Sequence, residues 1–166
     1  IFFTPPSIIR ENINIIKELN KKNVNTVFET LILNFNIKSV EIPLDGGNYS
    51  GEVNPDKNFD GFGTLYSGDG GIYSGYFKNG NFHGFGSYVL PSGSWYLAEW
   101  ESGKQDGSAI FVSKDGFRYI GKFKNNKYHG KGEFYFEQTG ETAIVEHNEG
   151  IEIKKKWIKK LVHNPL

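Results

Sequence analysis

The sequence predicts a mainly β fold: a single-layer antiparallel meander of stacked β-hairpins, with helices appended at both ends. The first observation is a set of marker glycines about 23 residues apart, and a fixed period of this length is typical of stacked repeats. The second is a composition of 21 glycines and 16% aromatic residues, which suits rings packed against bare backbone. The third is a turn signal roughly every ten residues, which predicts about ten short strands. The marker glycines are Gly46, Gly70, Gly93, Gly116 and Gly140.

Residues 1–45 are predicted to form an N-terminal helical appendage. Segments 7–20 and 24–35 both carry apolar residues at helical spacing, and Ser7 suits the N-cap of the first. We expect these two helices to pack on each other and cover the first edge of the sheet. The alternative is that they are the tail of a preceding domain, because the chain begins with Ile1 and is expected to be a portion of a longer protein.

Residues 46–150 are predicted to be the repeat array, with four clear repeats and a degenerate fifth. In repeat 2, residues 71–77 alternate in polarity, Asn79-Gly80 supplies a tight hairpin turn, and residues 82–90 alternate again. Each repeat is therefore expected to be one hairpin. Because alternation sorts side chains onto two faces, the tyrosine three residues after each of the first four marker glycines shares a face with the glycines of both strands. We expect its ring to lie across that bare backbone.

The two clearest hairpins carry a family resemblance. YSGYFKNGNFHGFGSYVL, from Tyr73, and YIGKFKNNKYHGKGEFYF, from Tyr119, closely resemble the MORN (membrane occupation and recognition nexus) repeat. The resemblance covers residues 46 to about 136, although repeat 3 has Ala98 and Ala109 in place of glycines. It implies scaffolding at membranes and the cytoskeleton, and a groove that accepts a helix or an extended segment of a partner protein.

Aromatic and apolar side chains on both faces are the predicted partner-binding residues. The opposite face is too apolar to be plain solvent surface, and a large apolar patch usually marks an interface. On the glycine-rich face the predicted residues are Tyr73, Phe77, Tyr96, Trp100, Tyr119 and Phe123. On the opposite face they are Phe85, Val89, Trp95 and Leu97.

Residues 151–166 are predicted to form a basic amphipathic helix that caps the last strand. The alternative is that its lysines bind anionic phospholipid, because basic amphipathic helices lie on charged membranes. The candidate lipid-binding residues are Lys154, Lys155, Lys156, Lys159 and Lys160.

The chain carries no recognisable catalytic set, and we expect no cofactor and no metal. Cysteine is absent, and no nucleophile or phosphate-loop motif occurs. His83 and His129 precede Gly-x-Gly pairs two repeats apart, about 18–20 Å if strands are spaced ~4.8 Å, which is too far to share one ion. Asp60 and Asp106 hold the same place in the other repeats. All four are therefore expected to satisfy backbone groups at the turns.

These observations predict a non-catalytic protein-interaction or scaffolding module. The 19 basic and 19 acidic residues give no net charge, which argues against nucleic acid as a partner. Two alternatives are a phospholipid-binding module and, because MORN arrays accompany lipid-kinase and methyltransferase domains, a regulatory segment of a larger enzyme. The expected location is cytoplasmic, peripheral to membrane or cytoskeleton. A homodimer formed through sheet edges remains open.

Overall fold

The computed structural model describes residues 39–158, which form one open antiparallel sheet of eleven strands in chain order. The mainly β single-layer meander is thus confirmed, and the helices predicted over 7–20 and 24–35 lie outside the described residues. The strands are β1 (Val40–Leu44), β2 (Gly47–Val53), β3 (Phe59–Tyr66), β4 (Ile72–Lys78), β5 (Asn81–Val89), β6 (Trp95–Glu101), β7 (Lys104–Val112), β8 (Phe117–Lys124), β9 (Lys127–Phe136), β10 (Glu141–Asn148) and β11 (Ile151–Ile158).

Each repeat is a hairpin closed by a tight turn and bent by a bulge. In repeat 2 the turn residues Asn79 and Gly80 both have positive φ, 48° and 81°, as the twist-compatible hairpin turn requires. The register of β4 against β5 shifts between Gly75 and Tyr76, opposite Gly84, whose φ is 59°. The first glycine of the Gly-x-Gly pair therefore shapes the bulge, a left-handed position that side chains disfavour.

The predicted C-terminal helix is wrong over residues 151–158, which form strand β11 paired with β10. Residues 159–166 lie outside the described part. The repeat period continues through the lysine-rich segment, because Ile151 follows Tyr128 by 23 residues and Trp157 follows Phe134 by the same distance. At the other end the sheet begins with β1 at Val40, within the segment that was predicted to be helical.

The core of the protein lies on one face of the sheet, here called the core face. Its buried side chains come from every repeat, and no second layer lies over them among residues 39–158. Burial therefore comes from rings and glycines of neighbouring strands within one sheet. The buried cluster consists of Tyr49, Tyr73, Phe77, Ala98, Trp100, Ala109, Phe111, Tyr119, Phe123, Ala143 and Val145.

Neighbouring hairpin turns are joined by main-chain hydrogen bonds. In each bond an amide of one turn donates to a carbonyl at the start of the preceding return strand, so the turns stack along one edge of the array. The bonds join Gly80 N to Phe59 O (2.8 Å), Gly103 N to Phe82 O (2.9 Å), Asn126 N to Gln105 O (3.0 Å) and Gly150 N to Tyr128 O (2.8 Å). This turn ladder fixes the register of each repeat on the one before it.

Candidate partner-binding faces

Tyrosines that lie across paired glycines form the floor of the core face. Tyr73 is 1% exposed, and its ring lies over Gly75 and Gly86, which are opposite each other on β4 and β5. A Cβ on Gly86 would come to 2.5 Å from Tyr73 Cζ, so only glycine leaves room for the ring. The Tyr73 hydroxyl donates to the main-chain oxygen of Tyr76 at 2.9 Å. Tyr49 and Tyr119 hold the same place in repeats 1 and 4, donating to Glu52 O at 2.6 Å and Lys122 O at 3.2 Å.

A second layer of rings covers these floor tyrosines. The Phe82 ring stacks on the Tyr73 ring with centroids 3.7 Å apart and planes 5° apart. Phe82 is half-buried, so its outer side faces solvent. Offset and edge contacts between rings add about 0.5–1.5 kcal/mol per pair beyond their burial. Repeat 1 has the same stack, with the Phe59 and Tyr49 centroids 3.8 Å apart. In repeat 4 the cover ring Tyr128 makes an edge contact with Tyr119, with centroids 4.5 Å apart and planes 62° apart.

Repeat 3 lacks both the glycine pair and the cover ring. Ala98 and Ala109 face each other where the other repeats have glycines, and Gln105 takes the cover position. The two methyl groups occupy the space that a floor tyrosine would need. Tyr96 is accordingly half-buried, with its ring 4.5 Å from Phe111. Its hydroxyl makes no hydrogen bond within residues 39–158, whereas the other three repeat tyrosines all do.

Burial controls the titration of the floor and cover hydroxyls. Burial, with smaller contributions from Glu52 and Asp60, raises the pKa of Tyr49 to about 12. Burial also raises the pKa of Tyr128 to about 12, helped by Tyr96 and Tyr119. The pKa of Tyr73 is raised, again chiefly by burial. These hydroxyls remain neutral donors near pH 7, so the core face presents rings and no charge from them.

The opposite side of the sheet, here called the second face, carries a row of apolar side chains in cross-strand register. Val89 is opposite Trp95, and Trp95 is opposite Val112. A second row pairs Leu97 with Ile110. These five side chains are half-buried, so together they form an apolar patch over strands β5–β7. Farther along the first row the Arg118 guanidinium lies 4.5 Å above the Tyr135 ring.

Four equivalent side chains, two aspartates and two histidines, precede the Gly-x-Gly pairs and the Gly-x-Ala of repeat 3. Three of them accept hydrogen bonds from turn amides, as predicted, and His83 does not. Asp60 accepts a hydrogen bond from Asn79 N at 3.0 Å, and Asp106 accepts one from Asn125 N at 3.4 Å. Each acceptor serves the turn of the next repeat rather than its own. The third is His129, whose Nδ1 accepts from Glu149 N at 3.4 Å, whereas His83 Nδ1 lies 3.5 Å from a Glu101 carboxylate oxygen.

The described lysines of β11 lie on both sides of the sheet. Register with β10 places Lys154 and Lys156 on the second face and Lys155 on the core face. Lys159 and Lys160, the other candidate lipid-binding residues, lie outside the described part of the chain. Across residues 39–158 no helix has the length and apolarity needed to cross a membrane. The same range contains no group of three acidic or histidine side chains arranged to hold a metal ion.

Sequence comparison assigns the repeats. The MORN repeat profile matches three consecutive segments, residues 73–95, 96–118 and 119–138. The chain is similar to the MORN repeat family over residues 73–138. No curated protein sequence is significantly similar to the chain. One similar solved structure is the TCP domain of SAS-4 (dCPAP) of Drosophila melanogaster in complex with a proline-rich motif of Ana2 (dSTIL), at 15% identity and a TM-score of 0.42, covering 75% of this chain and 74% of that chain.

Within these repeats, the predicted binding residues divide by depth. On the core face, all but Tyr96 are buried and belong to the core cluster. The second-face residues are all half-buried, with Phe85 opposite Glu99 at the margin of the patch. Sequence reasoning missed the half-buried rings that reach the core-face surface. The signal was available, because Phe59, Phe82 and Tyr128 are spaced by one and then two repeat periods of 23 residues. The surface rings of the core face are Phe59, Phe82, Tyr88, Tyr96, Phe117, Tyr128, Phe134 and Phe136.

Proposed function

We propose that this chain is a non-catalytic protein-interaction module that binds a partner segment across the surface rings of the core face. The observation that carries the proposal is Tyr96, a large ring that repeat 3 holds at the surface while the equivalent tyrosines lie in the floor. Aromatic side chains at the centre of a patch are the usual anchors of protein interfaces. Tyr96 lies between the surface rings of repeats 2 and 4, at the middle of the row.

The partner proposed is a helix or an extended segment of another protein. A row of half-buried rings spans several strands, so it offers successive contacts along one line, as grooves for peptide segments do. Neutral tyrosine hydroxyls add donors at the margin of the apolar rings. Scaffolding beside a membrane or a cytoskeletal element in the cytoplasm is the finer proposal, and its support is the family resemblance alone.

The strand β6 supplies matched variants for a test. Trp95, Tyr96 and Leu97 are consecutive, and Tyr96 faces the core face while its two neighbours face the second face. Peptides selected from a displayed random library for binding to the whole chain would be measured against Tyr96→Ala and Leu97→Ala. We expect Tyr96→Ala to weaken binding at least about tenfold, the loss typical of an interface anchor, and Leu97→Ala to leave it unchanged.

The reverse pattern would contradict the proposal, because it would place the partner on the second face. Thermal unfolding of both variants is the control, since a truncation that unfolds the sheet would abolish binding from either face. Trp100→Ala is a poor probe for this purpose. Trp100 is 6% exposed and its Nε1 donates to Gly86 O at 3.2 Å, so its loss would act on stability first.

A further inference from the structure

The edge strand β11 is an exposed surface separate from both faces. All its residues are exposed, including large apolar ones: Ile151 is 70% exposed, Ile153 54% and Trp157 49%. One side of β11 pairs with β10, and no strand pairs with its other side among residues 39–158. An edge strand of this kind presents a row of main-chain donors and acceptors that an added strand can use.

The charge on this edge is concentrated and positive. Lys154, Lys155 and Lys156 are consecutive, and with Lys131 of β9 they line one open depression beside Glu146. Lys154 lies 3.2 Å from the Glu146 carboxylate, but its side chain is 76% exposed, so the ion pair contributes little. On the core face Lys155 lies 3.3 Å from the Glu152 carboxylate, a second exposed ion pair that contributes little. Four lysines against two carboxylates leave this edge with an excess of positive charge.

The same lysines disfavour one register of pairing between two copies of this chain. An antiparallel pair of β11 strands centred on Lys155 would place Lys154 opposite Lys156, and like charges directly opposite each other destabilise a sheet. Head-to-tail pairing would use β1, which contains Pro43 and therefore lacks one main-chain donor. Both edges therefore carry a feature that opposes edge-to-edge association: lysines on β11 and a proline on β1.

We propose that β11 accepts an acidic extended segment of another protein as an additional antiparallel strand. Because Lys154 and Lys156 lie on the second face and Lys155 on the core face, carboxylates on both faces of the added strand can meet them. Apolar residues on either side of the acidic ones would pack on Ile153 and Trp157. A membrane surface would meet only one face of the strand, which favours a peptide as the occupant.

The test uses the whole chain and a short labelled peptide with three consecutive glutamates flanked by valine and threonine. We expect salt-sensitive binding in fluorescence anisotropy. Charge reversal by Lys154→Glu, Lys155→Glu and Lys156→Glu together should weaken binding about tenfold or more and allow a lysine version of the peptide to bind. The matched control reverses the exposed residues Lys78, Lys104 and Lys124 to glutamate, which gives the same net charge and should leave affinity unchanged.

A peptide with methylated main-chain nitrogens separates strand addition from simple attraction. It keeps every carboxylate but cannot donate to β11, so we expect it not to bind. Equal binding of the methylated peptide would overturn the proposal. Binding to anionic vesicles with none to the peptide, or dimers of the free chain in sedimentation equilibrium, would overturn it too. Tyr96→Ala should leave the acidic peptide bound, so this proposal and the proposed function can fail separately.

Discussion

Repeats 2 and 3 are adjacent and have the same strand register, yet they build the core face in different ways. In repeat 2 a buried tyrosine lies over two glycines and is covered by Phe82. In repeat 3 two alanines replace the glycines, a glutamine replaces the cover ring, and Tyr96 lies at the surface. The three differences occur together because a floor ring needs bare backbone beneath it, and a cover ring needs a floor ring to stack on.

The comparison shows that glycine pair, floor tyrosine and cover ring act as one packing unit. Glycine inside a strand costs about 0.5–1 kcal/mol relative to alanine. That cost is offset in repeat 2 by burial of a whole ring, which alone removes roughly 150–250 Å² from water. Once alanine occupies the site, the ring is displaced to a position where a partner can reach it. Replacing the glycines of a repeat thus gives up the burial of its tyrosine and leaves that ring at the surface.

The largest expected effect comes from making repeat 2 resemble repeat 3 at one position. Gly86→Ala would place a Cβ 2.5 Å from Tyr73 Cζ, and we expect a loss of about 3 kcal/mol in the free energy of unfolding. The equivalent change in the other direction, Ala109→Gly, should cost only about 0.5–1 kcal/mol. Urea denaturation of both variants measures the difference, and similar losses would show that the glycine makes no room for the ring.

A smaller effect is expected from rebuilding repeat 3 on the pattern of repeat 2. Gln105→Phe alone has no floor ring to stack on, whereas Gln105→Phe with Ala98→Gly and Ala109→Gly lets Tyr96 move beneath it. We expect a favourable coupling of about 1 kcal/mol between the two sets of changes. A double-mutant cycle by denaturation measures it. Additive free energies would mean that the three positions are independent.

An effect of similar size is expected from the tyrosine hydroxyls. Tyr73→Phe removes a hydrogen bond of 2.9 Å and leaves the Tyr76 carbonyl one donor short, so we expect a loss of about 1 kcal/mol. Tyr96→Phe removes no hydrogen bond seen in the described residues and should be close to neutral. Thermal unfolding compares the two. Equal losses would indicate that the hydroxyl of the displaced tyrosine is also held by the fold.

The sequence predicts the sheet well because period and alternation are local signals. Tyr73 and Gly75 had to share a face, and the structure places them there. The cover rings escaped notice because Phe82 lies on a different strand from the tyrosine it covers, and their contact depends on cross-strand register. The helix predicted over residues 151–158 was wrong because the spacing of Ile153 and Trp157 fits one turn of a helix and one face of a strand equally well. The lysines 154–156 between them did not separate the two patterns.

The main-chain bonds of the turn ladder share one direction, because each acceptor carbonyl precedes its donor amide in the chain. Phe59 O and Asp60 serve the turn at Asn79-Gly80, and Gln105 O and Asp106 serve the turn at Asn125-Asn126. Each hairpin therefore carries the acceptors for the turn of the hairpin that follows it, and the position of each turn depends on the hairpin before it.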